Sequence, residues 1–318
     1  MNNRRDFLEK MALGGAAAFA LPHASYSATP RRAEREPMSI HVFSKHLQFL
    51  GYEEMAETAA EIGFDGVDLT VRPGGHVLPE NVKRDLPKAI AAIQKQGLKS
   101  NMMTSRLNSS EGKVNQQVLD AAADQGIKYY RTNYFRYPDQ ADVPAFLQNC
   151  QDTLKKLADY SEKKNLFASY QNHAGSRYVG APVWDIARIL HNVNSPHLGS
   201  QYDIRHATVE GGQAWPIGLN YIHPHINTLV MKDFVWEKRD GRWRVMNTPI
   251  GEGMVDFPAY MKQLKALNVT APISMHYEYP MPEEDNSLTE TQKLEQTKKV
   301  MKRDLERVRR YLKEAGLI

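Results

Sequence analysis

Short apolar runs alternate with amphipathic stretches along most of the chain. Strand-like runs fall at 39–43, 66–70, 98–103, 128–132, 166–171, 198–203, 226–232 and 273–278. Helix-period segments follow them at 52–62, 86–96, 115–125, 143–164, 183–190, 217–222, 257–267 and 288–314, the sixth being the weakest. Pro87 stands near the start of the second helix, where proline is tolerated. Gly97 and Gly126 close two of the helices. Nearly continuous apolar runs of this length read as strands buried on both faces. Eight strand-then-helix units predict an α/β fold, the (β/α)8 TIM barrel, as one domain over 38–318. A doubly wound open sheet is the rival, but no G-x-G-x-x-G follows the first strand. A barrel places its chemistry at the C-terminal ends of the strands.

Those ends collect the unusual polar residues. Ser44 and Lys45 follow the first strand. The second runs through Asp68 to Arg72 and a loop carrying His76. Arg131 closes the fourth. The fifth, FASYQNHAG, ends in Gln171, Asn172 and His173, which are costly to bury unless paired or in use. Asp203, Arg205 and His206 end the sixth, Lys232 and Asp233 the seventh, and His276 and Glu278 the eighth. Each has a plainer reading. A strand-end histidine is commonly a hydrogen-bonded structural residue, Asp203 is placed to cap the next turn, and Lys232-Asp233 reads equally as a solvated turn. Trp215 and Trp236 suit either packing or stacking on a sugar ring. The glycines of PGGHV and GEG read as turns needing positive φ, since neither motif is a phosphate loop.

Composition narrows the functional classes. The 318 residues are 42% hydrophobic and 25% charged, as in ordinary globular proteins. A net charge of +4, without a basic stripe, argues against a nucleic-acid partner. Cys150 is the single cysteine, which excludes an internal disulfide framework; on a helix it reads as a buried, inert thiol. The start, MNNRRDFLEKMALGGAAAFALPHASYSA, has paired arginines, an apolar run too short to span a bilayer and a small-residue cleavage pattern. It resembles a twin-arginine export signal over 1–27, with a linker at 28–37. The expectation is a periplasmic or otherwise exported protein with no stable membrane anchor after cleavage.

Five stretches carry a family resemblance: GFDGVDL at 63–69, QNHAG at 171–175, YDIRH at 202–206, VMKDF at 230–234 and PIGEGMVDF at 249–257. Together they resemble the xylose isomerase-like TIM-barrel superfamily, the sugar phosphate isomerase/epimerase group, over roughly residues 38–316. The resemblance implies one divalent ion, Mn²⁺, Mg²⁺ or Zn²⁺, held by a Glu, an Asp, a His and a Glu at the ends of strands five to eight. Those places fall on Gln171, Asp203, Met231 and His276, with Glu278 two residues beyond. Only the Asp is retained. A thioether suits a hard dication poorly, and one carboxylate is a weak hold on it. The expectation is a metal site that is absent or non-standard, with Gln171, Asp203 and His276 as the residues left to bind a metal. A rebuilt set would draw on Asp203, His206, His276 and Glu278.

The resemblance implies proton abstraction beside a carbonyl, by a carbohydrate isomerase, epimerase or related lyase. A metal or preorganised donors stabilise the resulting enediolate. The catalytic candidates are Lys232, Glu278, His276 and Asp203. The substrate-binding candidates are Arg72, His76, Arg131, Gln171, His173, Arg205, His206, Trp215 and Trp236. The expected partner is a small carbohydrate, unphosphorylated because no basic phosphate cradle is evident, and an oligomer is compatible with the sequence. A non-catalytic carbohydrate-binding barrel is the alternative. A zinc endonuclease on this fold lacks its ligand set here.

Overall fold

The computed structural model describes residues 37–318. The signal-like segment 1–27 and the linker up to residue 36 lie outside the described residues. Strands β1 (Ile40–Phe43), β2 (Gly66–Thr70), β3 (Lys99–Thr104), β4 (Tyr129–Arg131), β5 (Phe167–Gln171), β6 (Leu198–Asp203) and β7 (Ile226–Met231) follow in order. A hairpin of β8 (Asp233–Arg239) and β9 (Arg242–Thr248) comes next, and β10 (Ile273–Met275) completes the set. The seven strands before the hairpin and β10 close into one parallel barrel, in which β10 pairs with both β7 and β1. The fold is a TIM barrel.

Burial explains the apolar runs. Every residue of β2, β5 and β6 is buried, because helices cover the outside and side chains fill the inside. One carboxylate within the barrel is fully paired. Asp68 on β2 accepts from Thr104 Oγ1 on β3 at 3.0 Å and from Ser274 Oγ on β10 at 2.6 Å. Cys150 is buried in the helix Val143–Lys163, and burial pushes its thiol up to about 12.

Four details differ from the sequence expectation. The helix Val82–Lys95 begins a turn early and runs through Pro87 rather than starting beside it. Two helices, Ile204–Gly211 and Trp215–Ile222, follow β6 where one weak helix was expected. Strand β10 stops at Met275, so His276–Glu278 lie on irregular backbone beyond it. The β8–β9 hairpin was not anticipated. It turns at Asp240 and Gly241, both at positive φ (50° and 75°), with Arg239 and Arg242 paired beside them.

Asp233 anchors this insertion to the barrel. Its carboxylate accepts from the backbone N–H groups of Phe234, Gly251, Gly253 and Val255 at 2.8–3.1 Å. The GEG stretch is thus a cradle around one carboxylate. Gly251 has the expected positive φ of 78°. Gly253 serves a different need, since a Cβ there would run into Asp233 Oδ1 and the Phe234 carbonyl. The closing helix Glu290–Glu314 adds a second anchor. Its buried Asp304 accepts from Ile250 N and Tyr279 Oη at 3.2 and 2.7 Å. Gly253→Ala is expected to destabilise the protein by about 1–3 kcal/mol, as overpacking does. Urea unfolding measures it, and an unchanged midpoint would show that the cradle relaxes freely.

Candidate functional site

The ends of β6 and β10 converge on one side chain, Lys232. It follows β7 and is 3% exposed. Its Nζ lies 3.1 Å from Asp203 Oδ2, 3.2 Å from Glu278 Oε2 and 2.7 Å from His206 Nε2. Asp203 performs both roles that its position allows. Oδ1 caps the helix Ile204–Gly211 by accepting from His206 N at 3.0 Å, while Oδ2 faces Lys232. Oδ2 also accepts from Gln171 Nε2 at 2.7 Å. Gln171 Oε1 in turn accepts from Arg131 Nη1 at 3.1 Å and Tyr134 Oη at 2.5 Å. Asn172 is structural: its amide bonds the backbone N and O of Asp203 at 2.8 and 3.0 Å, fastening β5 to β6.

Electrostatics divides these groups. Lys232 holds the Glu278 carboxyl well below the usual carboxylate range, against the upward pull of burial. Burial pushes Asp203 up, opposed by Lys232 and the His206 amide. Burial, then the charge of Lys232, holds His206 and His276 well below 6.5, so both rings are neutral. His206 meets a donor at each nitrogen, with Arg205 Nη1 2.9 Å from Nδ1. A neutral imidazole has one lone pair, and Arg205 can only donate. Nδ1 therefore accepts, and Nε2–H points at Lys232 and at Asp203 Oδ2, 3.4 Å away. More protons than acceptors meet between His206 and Lys232.

His276 stacks on Phe43 with ring centroids 4.4 Å apart, and its Nδ1 is 3.9 Å from Glu278 Oε1. Both ring nitrogens are buried without a hydrogen-bond partner among the described residues. Such a ring suits a ligand that supplies the partners. A cleft of about 580 Å³, lined by Lys45, His46, Phe49 and Tyr279 among others, opens on Glu278.

The remaining candidates divide. His173 edges the cluster, its ring 4.1 Å from that of His206. Arg205 reaches Asn247 Oδ1 on β9 at 2.6 Å, tying the hairpin to the site. Arg72 comes to Phe43, 5.4 Å from the ring centroid. His76 is not brought to the cluster: its Nδ1 meets Ser44 Oγ and Thr70 Oγ1, and its Nε2 the Leu47 carbonyl, which fixes the loop. Trp215 packs edge-on to Tyr260 in the core, and Trp236 is exposed on the hairpin. Sequence reasoning missed Phe43, Tyr134 and Asn247. Phe43 ended an apolar strand run, and nothing in the sequence marked Tyr134 or Asn247.

The residues do not fit a divalent ion. Gln171 Oε1 already takes two donors, Asp203 Oδ2 faces an amide and an ammonium, and His276 stands apart beside Phe43. An ion on Asp203 would crowd the cationic Lys232, a repulsion that low dielectric strengthens. No group of three or more His, Cys, Asp or Glu among the described residues is arranged to hold a metal. Of the expected metal residues Gln171, Asp203 and His276, the first two are joined in one hydrogen-bond chain that ends on Lys232, and the third lies outside it.

A closed barrel with its buried polar cluster at the C-terminal strand ends has the layout of TIM-barrel enzymes. The chain belongs to the xylose isomerase-like TIM barrel family, whose model matches residues 56–311. Among solved structures it resembles D-allulose 3-epimerase from Methylomonas sp., solved with D-allulose (14% identity, TM-score 0.65, covering 88% of this chain and 99% of that one). It also resembles a xylose isomerase domain protein from Planctomyces limnophilus (14%, 0.64, 89% and 100%). A third is 3-keto-D-glucoside 4-epimerase from E. coli (15%, 0.62, 86% and 99%). At these identities the likeness establishes the fold. No curated protein matches the chain in sequence.

The histidines make stability depend on pH. Burial lowers His41 and His46 to about 3, and His76, His173 and His225 to about 4, from 6.5. Between those values the unfolded chain binds more protons than the folded one, so stability falls as pH drops from 7 towards 4. Urea midpoints across that window are expected to decline with falling pH. A flat profile would show that these rings are charged or exposed in the native state.

Proposed function

We propose that this barrel acts on a sugar or keto-sugar by removing a proton beside a carbonyl, as an isomerase, epimerase or related lyase. The observation that carries the reading is Lys232, held between Asp203, Glu278 and His206 at the barrel mouth. Glu278 is the base. It is ionised, 27% exposed and borders the cleft. It takes the proton from carbon, the C–H electron pair becomes the C=C bond, and the carbonyl oxygen becomes an enediolate oxygen. Lys232 donates to that oxygen, the task a Lewis acid performs elsewhere. As Lys232 turns to the substrate, its hold on Glu278 loosens and the carboxylate becomes more basic.

The Lys232–His206 pair, with protons to spare, returns one, and Glu278 then passes the proton it took to Lys232, 3.2 Å away, which restores both groups. Return to the opposite face of the same carbon gives an epimer, and return to the neighbouring carbon an isomer. If instead the substituent one carbon further on leaves with its bonding pair, the carbonyl re-forms, a new C=C joins the two carbons, the Lys232–His206 pair protonates the departing oxygen, and the product is that of a lyase. His276 offers both free nitrogens to substrate hydroxyls. The family and the sugar epimerases of similar fold support the substrate class. The paired arginines near the N-terminus support an exported site of action.

Exchange of substrate hydrogen for solvent deuterium tests this without knowledge of the product. The purified protein, stripped of metal by chelation, is mixed with ketoses and 3-keto-glucosides in D₂O and followed by proton NMR. Exchange is expected, falling at least about 100-fold in Lys232→Met and in Glu278→Gln, the scale of one lost oxyanion donor. Exchange that requires added Mn²⁺ or Zn²⁺ would overturn the lysine-centred mechanism. Binding without exchange would establish a carbohydrate-binding barrel instead.

A further inference from the structure

Two guanidinium groups in the barrel mouth lack a counter-charge. The Cζ atoms of Arg72 and Arg131 each lie 5.4 Å from the centroid of the Phe43 ring. Among the described residues neither forms a salt bridge. Arg131 gives Nη1 to the neutral Gln171 amide, and its Nε is buried without a partner. The side chain of Arg72, half-buried after β2, has no hydrogen bond to any described residue. Asp68, the carboxylate that acts on both, is enclosed in the barrel and already bonded by Thr104 and Ser274. Two like charges are thus brought together with free donors. That arrangement is unfavourable in isolation and favourable once an anion joins it.

The geometry points to a carboxylate on the substrate: we propose that the site takes a sugar acid, its carboxylate gripped by Arg72 and Arg131. This rests on the proton-abstraction reading above only for the placement of the reacting carbons. Planar guanidinium forks match a carboxylate in two-point bonds. A phosphate site commonly adds backbone N–H groups or a helix N-terminus. Here the loop after β2 spends its amides internally: Arg72 N goes to Val77 O, Gly75 N to Arg72 O, His76 N to Thr70 Oγ1 and Val77 N to Thr70 O. The distance to the chemistry also fits. Phe43 touches both guanidinium groups and stacks on His276, which is 3.9 Å from Glu278. The rings of Phe43 and His276 together span the interval from the anion grip to the base. The two arginines, 59 positions apart in sequence, meet on one phenylalanine.

Calorimetry with a panel of D-glucuronate, D-galacturonate and D-gluconate, set against D-glucose and glucose 6-phosphate, tests the proposal. At least one sugar acid is expected to bind, and glucose more weakly. Arg72→Gln and Arg131→Lys are each expected to weaken that binding by about 10–100-fold, the scale of a lost charge-assisted bond, and to leave glucose unaffected. Arg72→Gln, at a half-exposed position, guards against a folding defect in the other variant. Tighter, arginine-dependent binding of glucose 6-phosphate would overturn the carboxylate assignment. So would no sugar-acid binding by a protein that exchanges neutral keto-sugars, which would leave the catalytic reading intact. Arginine-dependent sugar-acid binding without any deuterium exchange would keep this proposal and remove the catalytic one.

Discussion

The ammonium of Lys232 is the constraint on which the rest of the mouth depends. Two carboxylates buried side by side repel, and each is costly to keep ionised away from water. Lys232 makes Asp203 and Glu278 tolerable as neighbours, and they in turn make a buried lysine tolerable. Every other contact in the cluster follows from that exchange. Asp203 is held in place by the helix it caps and by Gln171, so its charge cannot swing away. Glu278, on irregular backbone and bordering the cleft, has Lys232 as its side-chain hydrogen-bond partner among the described residues. The asymmetry separates an enclosed carboxylate that orients the lysine from one that borders the cleft.

The barrel was legible because its strands are buried on both faces and read as apolar runs, and because helices with a 3.6-residue period separate them. The β8–β9 hairpin was not, although its signal was present. VWEKRDGRWRV alternates across an Asp-Gly turn, the strongest short-range hairpin pattern, but its charge and exposure made it resemble a loop. Pro87 misled in the opposite direction. It marks helix starts on average, and here packing of Val82 and Leu86 carries the helix through it.

At the site, residue types were legible and partnerships were not. Position at a strand end singled out Lys232, Glu278, Asp203, Gln171 and Arg131, because the fold fixes where strand ends lie. Nothing in the sequence distinguishes His76, locked into a loop, from His276, buried with both nitrogens free. Both follow an apolar strand, and only three-dimensional packing separates them. Trp215 was ambiguous for the same reason, an indole serving equally as core or as a sugar platform until its neighbours are known. Phe43 shows the reverse error: an ordinary core residue by pattern, it is the ring on which two arginines and a histidine meet.

Gln171 shows why the departures from the family resemblance belong together. The side chain at this position must accept from Arg131 and Tyr134 and also donate to Asp203 Oδ2 at 2.7 Å. An amide offers both on one planar group without titrating. A glutamate would set one carboxylate against another, a repulsion that calls for a dication, and a dication has no place beside Lys232. The amide and the lysine therefore require each other: with Lys232 supplying the positive charge, position 171 must be neutral and able to donate. The same exchange leaves Arg131 facing a neutral acceptor rather than a carboxylate, so part of its positive charge remains uncancelled in the barrel mouth.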